Sequence, residues 1–156
     1  GFDSSVLLAA LLLTQFVAFP AALAAGWLAG IWGARRCILI GLAVYALACL
    51  WAMGMRDSGD FYSLAVVIGL VMGGVQSLSR SFYARLIPAD KSAEFFAFYN
   101  MFGKFAAILG PLLMGIVSLL SGSARLSILV VVAMFALGGW LLWRVEVEPA
   151  GEKVQE

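Results

Sequence analysis

The chain has 156 residues, of which 63% are hydrophobic and 12% charged, with a net charge of +1 and a mean hydropathy of +1.01. A soluble domain covers its surface with far more charge, so this balance excludes an ordinary water-soluble protein and makes lipid the solvent. The absence of histidine excludes a histidine metal site and histidine-based catalysis; no metal, no cofactor and no nucleic-acid partner is expected.

A hydrocarbon core about 30 Å thick takes roughly 20 apolar residues in helix, and five stretches qualify. The first covers about residues 5–32 and carries Thr14, Gln15 and Pro20. A short loop, Gly33 to Arg36, follows; Gly26, Gly30 and Gly33 would let the backbone approach a neighbour and turn tightly. The second stretch, about 37–55, has almost nothing polar in mid-span. Its Cys37 and Cys49 lie about three turns apart, too few for zinc and too distant to bridge, and read as buried, reduced packing residues. The third, about 61–86, carries Gln76, Ser77, Ser79 and Arg80. The fourth, about 93–120, carries Tyr99, Asn100, Lys104 and Pro111. The fifth, about 126–143, is apolar throughout its centre. From Arg144 the sequence turns polar and acidic, so residues 145–156 read as a flexible cytoplasmic tail. Backbone exposed to hydrocarbon must satisfy its own hydrogen bonds, so each stretch is helical; a transmembrane barrel would alternate apolar and polar residues. The expected fold is an all-α, polytopic transmembrane bundle.

Lysine and arginine set the orientation. Alternating loops place Arg35, Arg36, Arg80, Arg85, Lys91, Arg144 and Lys153 on one side, and Arg56 and Arg125 on the other. The rich side should be cytoplasmic, with the N-terminus of this chain outside and the C-terminus inside. The chain opens on Gly1, its first apolar run is too long for a signal-peptide core, and Asp3 stands where a leader would be basic. The expectation is a piece of a longer chain with further membrane-spanning segments before it.

Polar groups inside a membrane are expensive, so their distribution is informative. The first, third and fourth helices each have a polar side; the second and fifth do not. A central water-filled cavity needs that division. Lys104 lies about 15 Å along the helix from Glu94, near mid-membrane, where a lysine costs about 2.5–3.5 kcal/mol. No carboxylate in the sequence sits at that depth. Lys104 therefore either faces a cavity or snorkels to the headgroups. Gln76 and Arg80, four apart, share one face, with Gly69 and Gly73 continuing it. The pair could bind solute; equally, Arg80 could anchor the helix end and the glycines form a packing seam. Arg85, Lys91 and Glu94 read as an inner-face charge cluster. Gln15 could line the cavity or make a helix–helix hydrogen bond. Pro20 and Pro111 should kink their helices.

The residues from Gly26 to Arg36 resemble the signature loop of the major facilitator superfamily, Gly-x-Leu-Ala-Asp-Arg-x-Gly-Arg-Arg. Gly26, Leu28, Ala29, Gly33 and Arg35 match, while Gly30 replaces the acid and Ile31 the first basic residue. The run from Gly73 to Pro88, the run from Glu94 to Phe105 with Leu109-Gly-Pro-Leu after it, and Gln15 to Pro20 are similar to the vacuole-effluxer-like branch of that superfamily. The resemblance implies that these helices are the eighth to twelfth of twelve, within the C-terminal six-helix half. It implies that the eighth, tenth and eleventh line a cavity, with Gln15, Gln76, Arg80, Tyr99, Asn100 and Lys104 as candidates. The missing N-terminal helices of the same transporter, a small-molecule solute and the lipid bilayer are the partners it implies. The activity implied is secondary-active or facilitative solute efflux by alternating access, with amino acids or another carboxylate-bearing solute as substrate. The competing reading is a non-transporting membrane scaffold or accessory subunit. An intramembrane enzyme fits poorly, since no mid-membrane carboxylate and no obvious Ser-Lys pair is present.

Overall fold

In the computed structural model, residues 3–146 are described. They form five long helices: α1 (Ser4–Trp32), α2 (Ala34–Ala52), α3 (Ser58–Leu86), α4 (Ser92–Ser121) and α5 (Ala124–Arg144), with a 3-10 turn at Ala89–Lys91 before α4. All five are long and apolar enough to cross a membrane, and no strand occurs among the described residues. Of the acidic tail, all but Val145 and Glu146 lies outside the described residues.

The first and the last connection are the shortest, and each turns on a glycine of positive φ. Gly33 has φ +86°, a conformation side chains resist, and alone separates α1 from α2. Its N–H donates to the Ala29 carbonyl at 3.0 Å, and its own carbonyl accepts from the Cys37 N–H at 3.2 Å. This one-residue turn places Arg35 and Arg36 in the first turn of α2. It starts α2 three residues before the expected position 37 and ends it correspondingly early, at Ala52. Gly122, left-handed at φ +65°, caps the end of α4. Helices α1 and α4 continue without interruption through Pro20 and Pro111.

The closest packing is between α1 and α3, and it is made by small residues. A Cβ on Gly69 would stand 2.7 Å from the Thr14 carbonyl oxygen, and one on Gly73 would overlap the Ala18 carbonyl. The Thr14 hydroxyl is directed at two carbonyls, that of Ala10 in its own helix at 2.9 Å and that of Ala65 in α3 at 3.2 Å. Close backbone approach through small residues, sealed by a hydroxyl, is how helices adhere where lipid removes the hydrophobic drive. Gly69 and Gly73 are thus packing residues. Helix α2 lies against α3 and α1 and reaches α5, where Tyr45 stacks on Phe135 at 5.0 Å. Arg35 at the start of α2 donates to the Trp143 carbonyl, and Arg144 sits 4.6 Å over the Trp140 ring. A guanidinium placed on a helix C-terminal carbonyl satisfies an orphan acceptor and the negative end of the helix dipole. Cys37 and Cys49 are free thiols, both half-buried.

Helix α4 differs from the rest. Among the described residues it packs along α5, and its other contacts lie near its start. None of its residues is buried. Large apolar side chains also point outward across the bundle, among them Phe16, Phe19, Trp27, Leu47 and Phe102. Such a surface would not survive in water; it belongs in hydrocarbon or against further protein.

Candidate functional site

The polar residues of α3 and α4 form two stripes that converge. Gln76, Arg80 and Tyr83 are spaced four and three apart on α3, hence on one face. Phe96, Asn100 and Lys104 are spaced by four on α4. The stripes meet where the Tyr83 hydroxyl donates to the Phe95 carbonyl at 3.0 Å. There the Tyr83 ring lies 4.9 Å from that of Tyr99 and 5.6 Å from that of Phe96. Beyond this aromatic vertex the helices share no extended seam, since α4 follows α5. Counting at 1.5 Å per residue, Gln76 stands about 10 Å from the vertex along α3 and Lys104 about 12 Å along α4. The fold therefore brings an amide and an ammonium to matching depth on two helices that part between them.

Gln76, Arg80, Asn100 and Lys104 are all exposed, and none makes a hydrogen bond or ion pair among the described residues. Tyr99 is half-buried in the aromatic cluster. Gln15 does not join this group. Its neighbour Thr14 lies beside Gly69 and Ala65, which sets Gln15 roughly 10 Å along α3 from Gln76; the Gln15 side chain is exposed and has no partner among the described residues. Arg85, Lys91 and Glu94 are exposed and form no ion pair among the described residues. Exposed pairs gain little from ordering two long side chains, so a cluster read from sequence need not close into contacts.

Residues 1–155 match the sequence model of the family described as vacuole effluxer Atg22 like. The chain belongs to that family. Over its full length it is 36% identical to an uncharacterized MFS-type transporter, YxiO, of Bacillus subtilis, and it covers 36% of that protein. It is 38% identical over 100 residues to autophagy-related protein 22-1 of Phaeosphaeria nodorum, a match covering 64% of this chain and 18% of the relative. It is 39% identical over 95 residues to autophagy-related protein 22 of Cryptococcus neoformans, covering 61% of this chain and 17% of the relative. The chain thus spans about a third or less of the length of these curated relatives. No solved structure matches it. Family membership and five membrane-length helices make the chain an integral, multi-pass membrane protein.

Within this vacuole-effluxer-like chain the signature loop departs from its sequence reading. Gly33 makes the turn. At Gly26 and Gly30, however, an added Cβ would meet nothing within 4 Å, so neither admits a close neighbour among the described residues. They border an open cleft with Ser77, Ser81 and Arg85. Arg35 ties α2 to the end of α5, whereas Arg36 is exposed and without a partner among the described residues. Tyr83, which joins the two polar stripes, escaped the sequence reading. The signal was present: it stands seven residues from Gln76 on the same face, and hydropathy alone does not weigh an aromatic hydroxyl.

Proposed function

We propose that this chain forms part of the C-terminal half of a secondary-active or facilitative solute carrier, and that the parting of α3 and α4 is one wall of its translocation cavity. The observation that carries this reading is Lys104. It lies about 4 Å from the midpoint of the 30-residue helix α4, exposed and without a partner among the described residues. A cation at that depth is tolerated where water, or an anionic group, reaches it. Gln76 at similar depth and Asn100 one turn nearer the vertex add uncharged hydrogen-bonding groups, and Arg80 adds a second cation nearer the vertex. Two cations and two amides suit a carboxylate-bearing solute, an amino acid among them. The missing N-terminal helices of the same protein would supply the opposite wall, with the arginine-rich ends cytoplasmic and movement by rocking of two helix bundles. The kinks expected at Pro20 and Pro111 would bend α1 and α4 in that motion.

The test is solute flux through the complete protein in liposomes. Lys104→Ala is expected to abolish or redirect transport without loss of expression. Wild-type flux in that variant would remove Lys104 from the site, and absence of any flux in the intact protein across a broad solute screen would favour a scaffold.

A further inference from the structure

A second cleft lies between α1, α2 and α3 at their arginine-rich ends, with a volume of about 230 Å³. Its lining includes Gly41 and Gly74 together with Trp32, Ile40, Val44 and Leu70. Trp32, Ile40 and Leu70 are each about half exposed, so the cleft opens to the outside of this bundle. Among its lining side chains only the Trp32 indole N–H and the Cys37 thiol can hydrogen-bond. Ordered water needs two to four polar partners, so hydrocarbon is the natural filling. From Val44 back to Arg36 the distance along α2 is about 12 Å, close to the roughly 15 Å depth of one leaflet's hydrocarbon.

A charge one helical turn from the lining residue Ile40 identifies the occupant further. Arg36 lies one turn beyond Ile40 on the same stripe of α2, is exposed, and makes no hydrogen bond or ion pair among the described residues. Its neighbour Arg35 is engaged by the Trp143 carbonyl. A free guanidinium at headgroup level offers two parallel N–H donors, the geometry that phosphate accepts. We propose that this cleft binds one anionic phospholipid, with an acyl chain lying along it from Val44 to Trp32 and the headgroup phosphate on Arg36. The site rests on the membrane location of the helices and is independent of the transport reading.

Native mass spectrometry of the full-length protein, titrated with phosphatidylglycerol or with phosphatidylcholine of the same acyl chains, tests it. Phosphatidylglycerol is expected to be held about five-fold more tightly, the gain of one basic residue against an anionic lipid. Arg36→Gln should erase that preference, Arg36→Lys should keep most of it, and Val44→Trp should lower retention of both lipids. Should Val44→Trp not fold, Cys37→Leu fills the headgroup end of the cleft instead. Equal retention of the two lipids by the wild type, a preference that persists in Arg36→Gln, or retention indifferent to filling the cleft would each overturn the proposal. None of these readouts involves solute flux, so a failure here is distinct from a failure of the carrier reading.

Discussion

The seam between α1 and α3 and the surface of α4 are built on opposite principles. In the seam, Gly69 and Gly73 bring backbone against backbone, and Thr14 spends its hydroxyl on carbonyls of both helices. Along α4 nothing is buried, and its amide and ammonium are left without partners among the described residues. A helix that owes its place to one neighbour, α5, and an aromatic contact at its start can shift at low cost. A helix held by backbone contact cannot. The contrast divides the bundle into a fixed part and a part whose outward face awaits something else: solute, water or further protein.

Substitutions on each side should sharpen that division, and the largest effect belongs to the seam. Gly73→Leu forces a side chain into the Ala18 carbonyl. It should destabilise the full-length protein by more than about 3 kcal/mol, seen as loss of monodisperse protein on size exclusion. An equally bulky change at Gly30, where space is open, should be tolerated; if both behave alike, the seam is not what holds the bundle. Tyr83→Phe deletes the hydroxyl bond to Phe95 and should cost about 1 kcal/mol. Hydrogen exchange should then rise at the start of α4 and stay unchanged in α1 and α3; uniform exchange would mean that Tyr83 is not the vertex of the movable part. The smallest effect is expected from Thr14→Val, which removes one interhelical hydrogen bond worth about 0.6 kcal/mol in a membrane, a slight drop in the midpoint of heat inactivation. A large drop there would mean that the hydroxyl, and not the glycines, closes the seam.

The number of helices was legible because bilayer thickness imposes a length that composition then reveals. Their ends were less so. The loop expected at residues 33–36 shrinks to one residue, because a single glycine at φ +86° suffices to turn the chain and Arg35 and Arg36 already open the helix. Small residues were ambiguous for a different reason. Gly26, Gly30, Gly69 and Gly73 are alike in sequence, but only the latter pair has another helix against it, and partnership between helices is a tertiary fact. The polar candidates were visible as costly residues in apolar runs. Which of them share a depth was not, because that depends on how helices pair: Thr14 beside Ala65 carries Gln15 away from Gln76, while Tyr83 against Tyr99 aligns Gln76 with Lys104.

Whether water reaches the stripes of α3 and α4 can be measured directly. In full-length protein with Cys37 and Cys49 changed to alanine, single cysteines at Gln76, Asn100 and Lys104 would be exposed to a charged, membrane-impermeant thiol reagent. Cysteines at Leu47 and Leu137, on the two apolar helices, serve as the comparison. Labelling at the first three positions and none at the last two is the predicted result. Inert thiols at 76, 100 and 104 would mean that these side chains sit in lipid or dry protein, and a carrier cavity on this face would be ruled out.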